Sequence, residues 1–172
     1  MTYTIYMETV IIQLHKSLLK KHLTLAIAES CTGGLVSKLL TDISGSSKYF
    51  MAGIVTYSNK AKERLLGIPH AIIAKHGAVS AKVAALMAQK VRKLAKADLG
   101  IGITGIAGPT GGTKHKPVGT VYIAVSGRNK TTCNLSHFQG NRATIRKKSA
   151  LKSLELLNQF QTRGGSVFQQ FF

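Results

Sequence analysis

Seven consecutive residues, Ala28-Glu29-Ser30-Cys31-Thr32-Gly33-Gly34, bring two hydroxyls, a thiol and two glycines together. Serine or cysteine can attack an acyl carbon once a base takes its proton, so Ser30 and Cys31 are both candidate nucleophiles. A second group, Tyr57-Ser58-Asn59-Lys60-Ala61-Lys62, supplies a phenol and two lysines. Lysine acts as a base where burial or a neighbouring cation depresses its pKa, and a Ser–Lys pair then needs no histidine. The same spacing also suits solvated helix lysines. A third group is the loop beginning Thr104-Gly105-Ile106-Ala107-Gly108-Pro109 and running through Gly111-Gly112 to Pro117. It is neither GxxxxGK[ST] nor GxGxxG, but a long Gly/Pro loop between core strands is more often functional than most loops. A fourth group, Phe138-Gln139-Gly140-Asn141-Arg142, puts an arginine at a helix start. It is suited to bidentate contact with phosphate or carboxylate, or equally to a surface role.

The elements that would position these groups follow from periodicity. Leu23 to Ala28 reads as a buried strand and Leu35 to Leu40 as a helix with an apolar face, so Ser30 stands at a strand-to-helix turn. Unpaired N–H groups at such a turn, around Thr32, Gly33 and Gly34, can hold an anion or an oxyanion, or simply start a capped helix. A leading amphipathic helix is expected from Thr9 to His22, a strand from Tyr49 to Tyr57, and a short helix after Ser58-Asn59 that ends at Gly67 and Pro69. A strong helix follows Ser80, with Val83, Met87, Val91 and Leu94 as its stripe. Asp98 to Thr104 reads as a buried strand, and Val118 to Val125 and Thr131 to Phe138 as a hairpin. Asn141 caps a last helix with Ala150, Leu154, Leu157 and Phe160 inward. Helices alternate with strands early and a hairpin comes late. This predicts an α/β fold, a three-layer α/β/α sandwich on a mixed, mostly parallel sheet of about five strands. One domain is expected over 1–163, with 164–172 a flexible tail. Sites in such sheets gather at the carboxyl ends of strands, which places the Ser30 turn and the loops after Tyr57 and Thr104 at one edge.

Composition narrows the function. The chain has 172 residues, with 24 Lys and Arg against 6 Asp and Glu, a formal net charge of +18. Such a field attracts phosphorylated ligands and, nonspecifically, nucleic acid. The acids are scattered and none of the six histidines falls in HExxH, so no metal or cofactor is expected. No apolar run approaches the ~20 residues of a membrane span. Cys31 and Cys133 fit no CxxC pattern and no secretory leader is visible, which points to a reduced, cytoplasmic protein.

Taken in order, AESCTGG (28–34), GSSKYF (45–50), VTYSNKAK (55–62), HGAVS (76–80), TGIAGPTGG (104–112), KPVGTVY (116–122) and FQGNR (138–142) closely resemble the C-terminal domain of the competence/damage-inducible protein CinA. That domain also exists alone as nicotinamide mononucleotide deamidase. The resemblance implies hydrolysis of nicotinamide mononucleotide to nicotinate mononucleotide and ammonia, an α/β/α fold, a metal-free Ser–Lys mechanism and a homo-oligomer. Carried onto matching positions, it implies Ser30 as nucleophile, Lys62 as base and Tyr57 as a hydrogen-bonding assistant. The backbone of Thr32, Gly33 and Gly34, or of the loop containing Thr104, Gly105 and Gly108, would hold the oxyanion. Asn59 would border the substrate, and Arg142 would meet its phosphate. Two departures stand out. The family often has an acid where Asn141 stands, and the N-terminal domain of some CinA proteins has no counterpart here, so no pyrophosphatase activity is expected. The alternative is a nonenzymatic nucleotide- or nucleic-acid-binding module. Aromatic residues at 6% and diffuse lysines argue against a stacking nucleic-acid surface.

Overall fold

A computed structural model of the chain describes residues 3–162. The expected tail, 164–172, lies outside the described residues. Helix α1 (Tyr3–Lys20) leads into β1 (Leu25–Glu29), α2 (Leu35–Thr41) and β2 (Phe50–Val55). Three helices follow, α3 (Asn59–Leu66), α4 (His70–His76) and α5 (Ala81–Leu94), then β3 (Leu99–Gly105). The hairpin β4 (Thr120–Ser126) and β5 (Thr131–His137) precedes α6 (Arg142–Thr162). The five strands form one sheet in the order β2-β1-β3-β4-β5. β1 pairs in parallel with β2 and with β3, and β4 is antiparallel to β3 and to β5. Four strands therefore point one way and β4 alone runs back.

Alternation along the strands makes the two faces unlike. Leu25 and Ile27 of β1, Ile101 and Ile103 of β3, and Val121, Ile123 and Val125 of β4 share a core with α1, α2 and α6. The opposite face carries small residues, namely Ala26 and Ala28 of β1, Gly100 and Gly102 of β3, and Ala124 of β4, and it meets α3, α4 and α5. Period-two patterning thus gives one thick layer and one close-packed layer. A Cβ on Gly102 would fall inside contact distance of the Ala84 carbonyl oxygen and 2.5 Å from the Ala88 nitrogen, so α5 lies directly on β3.

The helix that the pattern left out is α4. Pro69, which ends the segment after α3, also stands as the N-cap of α4, a place where a fixed φ starts a helix as readily as it stops one. The leading helix begins at Tyr3, earlier than the periodicity indicated. Ser58 and Ser80 cap α3 and α5 as their hydroxyls suggested, accepting from the Ala61 and Val83 N–H groups.

Candidate active site

The chain order reverses direction across the sheet at β1, with β2 on one side and β3 on the other. The crevice at the carboxyl ends of these three strands receives the turns that carry Ser30 and Tyr57 and the end of β3 that carries Thr104. A cleft of about 220 Å³ lies there, lined by Ser30, Cys31, Tyr57, Asn59, Lys62 and Arg142, with Thr104 and Gly105 on its β3 side.

Ser30 and Lys62 meet in it. The Lys62 Nζ donates to Ser30 Oγ at 3.0 Å and to the Thr56 carbonyl at 2.8 Å. Lys62 is 1% exposed and Ser30 8%. Burial disfavours the ammonium and lowers the Lys62 pKa from the ordinary lysine value. No carboxylate pairs with this amine among the described residues. Burial acts in the opposite sense on the neighbouring thiol. The Cys31 pKa is pushed up to about 12, which keeps it a thiol and makes it a poor nucleophile.

The turn itself is held by Glu29, fully buried at the end of β1. Its carboxylate accepts from the Gly34, Val36 and Ser37 N–H groups and from the Ser37 hydroxyl. The N-terminus of α2 therefore already has its anion. This corrects the expectation for Gly33 and Gly34. The Gly34 N–H is bound to Glu29 and the Gly33 N–H to the Ser30 carbonyl at 3.1 Å. Neither they nor Thr32 line the cleft. Their left-handed φ values, 59° and 90°, instead let the chain turn sharply enough for Glu29 to reach forward.

Tyr57 stands at the rim, 59% exposed, and its hydroxyl accepts from Arg142 Nη2 at 2.6 Å rather than meeting Ser30 or Lys62. Arg142 also donates to the Gly108 carbonyl at 2.8 Å. Gly108 thus anchors the arginine and is not part of the lining. The guanidinium retains further N–H donors. Asn59 opens α3 beside the cleft. Thr104 donates its hydroxyl to the Ala78 carbonyl at 2.8 Å, tying β3 to the segment before α5. Gly105 allows close passage of β4, since a Cβ there would stand 2.8 Å from the Thr120 carbonyl oxygen. Asn141 does not pair with Arg142. Its Oδ1 caps α6 by accepting from the Thr144 N–H and hydroxyl.

Two residues of this arrangement were not singled out by motif reading. Glu29 counted only as one scattered acid, although an acid at a strand end just before a Gly-Gly turn is placed to cap the next helix. Arg146 belongs to no motif of the sequence. It stands four residues after Arg142, on the same helix face, and its Nη2 and Nε both donate to the Thr32 carbonyl, at 2.6 and 3.2 Å. One helix thus grips both the Ser30 turn and the rim tyrosine.

The CinA C-terminal domain family model matches residues 7–161. The chain belongs to the CinA C-terminal domain family. A CinA-like protein of Geobacter sulfurreducens is 54% identical over 138 residues, covering 80% of this chain and 33% of that protein. One of Syntrophus aciditrophicus is 50% identical over 150 residues, covering 87% and 36%. The chain therefore spans about a third of the length of these relatives. Among solved structures, the competence/damage inducible protein CihA from Agrobacterium tumefaciens superposes with a TM-score of 0.88 at 35% identity, covering 91% of this chain and 96% of that one. A CinA superfamily protein from Escherichia coli gives 0.88 at 34% identity, covering 93% of each. The α/β sandwich is that of the CinA structures.

Proposed function

We propose that the chain is an amidohydrolase that converts nicotinamide mononucleotide to nicotinate mononucleotide and ammonia, in pyridine nucleotide recycling. The observation that carries this reading is the 3.0 Å approach of Lys62 Nζ to Ser30 Oγ, with a desolvated amine and, among the described residues, no histidine or carboxylate bonded to either atom. A neutral amine offers one lone pair and two N–H donors. One N–H stays on the Thr56 carbonyl, and the lone pair takes the Ser30 proton as Oγ attacks the carboxamide carbon. The carbonyl oxygen becomes an oxyanion. The backbone N–H groups of Cys31 and Ala107, residues that line the cleft, are the donors assigned to it. The tetrahedral intermediate collapses with the C–N bond breaking, and the ammonium of Lys62 returns its proton to the departing nitrogen. Water, deprotonated by the same amine, attacks the acyl ester, and Ser30 leaves with its proton restored. Arg142 lies at the mouth with free donors for the phosphate, and Tyr57 orients it.

Ammonia release from nicotinamide mononucleotide tests the reading. Wild type is expected to release ammonia, while Ser30→Ala and Lys62→Ala each lose at least ~10³-fold in kcat. Mass spectrometry should find the acyl group on the Ser30 peptide. Full activity of Ser30→Ala, or an acyl group on Cys31, would end this mechanism.

A further inference from the structure

The end of the sheet remote from Ser30 holds a second cleft. β3 runs from Leu99 to Gly105, about 20 Å at ~3.3 Å per residue. Its Gly105 end borders the candidate active site, whereas Gly100 pairs with Ser126, where β4 turns into β5. There a cleft of about 350 Å³ opens between the last turns of α5 and the β4–β5 turn. Arg92 and Lys93 line it from α5, and Arg128 and Lys130 from the turn. No acidic side chain takes part in the lining. Arg128 is held from outside by Asp98 at 3.0 Å. Among the described residues, Arg92, Lys93 and Lys130 enter no ion pair.

Two features distinguish this cleft from the diffuse positive charge elsewhere. The Arg92 Nε is buried and has no hydrogen-bond partner among the described residues, a costly state for a charged donor. The base of its side chain also packs closely over Gly100, where an added Cβ would stand 2.7 Å from the Arg92 Cβ. The wall is braced as well. Gln89 Nε2 donates to Thr131 Oγ1 at 3.1 Å, and Thr131 Oγ1 donates to Ser126 Oγ at 3.0 Å.

We propose that this cleft binds a small anion carrying two or more phosphates, with Arg92 as the donor and Lys93 and Lys130 as flanking charges. A simpler role for Arg92 and Lys93 would be to offset the negative end of the α5 dipole. Yet the terminal carbonyls of Val91, Arg92 and Lys93 already accept from the Ala95, Ala97 and Lys96 N–H groups, and Lys130 comes from a different element. The lining contains no aromatic ring, so it offers no platform on which the bases of a single-stranded nucleic acid would stack. A compact polyphosphate fits the charge without one. The site is independent of the reading at Ser30.

Calorimetric titration with sodium tripolyphosphate at fixed ionic strength tests it. Wild type should bind one equivalent. Arg92→Gln/Lys130→Gln, and Lys130→Gln alone should the pair disturb folding, should bind more weakly, the double variant by at least about tenfold. Lys16→Gln/Lys20→Gln on the exposed side of α1 removes the same net charge and should leave binding within about twofold. Equal weakening in both pairs, absence of wild-type binding, or a loss that follows Arg142→Gln instead would overturn the site. So would a preference for a short single-stranded oligonucleotide at equal phosphate concentration.

Discussion

Lys62 would be protonated at neutral pH if it kept the ordinary lysine pKa of 10.5, and a protonated amine cannot take the Ser30 proton. Burial solves this by making the ammonium the costly form. The sign for activity follows. Turnover needs the neutral amine, so kcat/KM should rise with pH through the Lys62 pKa, with the midpoint of the rise below 10.5. A pH–rate profile checks this, and an ascending limb centred at or above 10.5 would contradict it. Lys62→Arg keeps the charge but cannot deprotonate, so it should lose the limb and at least ~10²-fold of the rate. At this scale the sequence was informative where one residue type has one chemical use. Ser30 and Lys62 each stood in a motif, and the fold brings the two side chains to 3.0 Å. The roles of Glu29 and Arg146 could not be read there, because they exist only once the chain folds back on the turn. For the same reason the anion cradle offered for Gly33 and Gly34 is not realised, since nothing local shows that the Glu29 carboxylate takes the Gly34 N–H and the Ser30 carbonyl the Gly33 N–H.

The elements were legible wherever alternation or helical spacing was strong. The strands fell where β-branched and small residues alternate, and the cap serines began α3 and α5. The short helix α4 was hidden because a proline after a glycine reads as a stop. What no local pattern shows is why one sheet face is nearly bare of large side chains. Gly100 and Gly102 allow α5, through Ala84 and Ala88, to rest on the β3 backbone. Gly102→Ala should therefore be costly even though alanine is a better strand former than glycine. Its Cβ would meet helix backbone, which cannot rotate away, and a loss of about 1–3 kcal/mol is expected in urea unfolding. The substitution also pushes α5 away from the wall that carries Ala78 and Val79, so activity should fall in the protein that remains folded.

For the molecule as a whole, the buried amine sets function against stability. The folded pKa of Lys62 lies below its unfolded value, so between the two the unfolded chain binds more protons and stability rises with pH. The penalty is fully present below the folded pKa and is gone above 10.5. Other lysines titrate in the same range, and a difference measurement removes them. The stability of wild type minus that of Lys62→Met should increase with pH across that window, read from urea midpoints, and a flat difference would refute the assignment. A net charge of +18 acts throughout, favouring anionic ligands at both ends of the sheet. One consequence concerns the order in which the ribosome delivers the parts. Ser30 and Lys62 belong to the first half of the chain, but Arg142 and Arg146, which grip the rim and the Ser30 turn, belong to α6. A nascent chain thus carries the reactive pair before it carries the clamp. If the proposed amidase reading holds, fragments that end before α6 lack both arginines and should release no ammonia from nicotinamide mononucleotide.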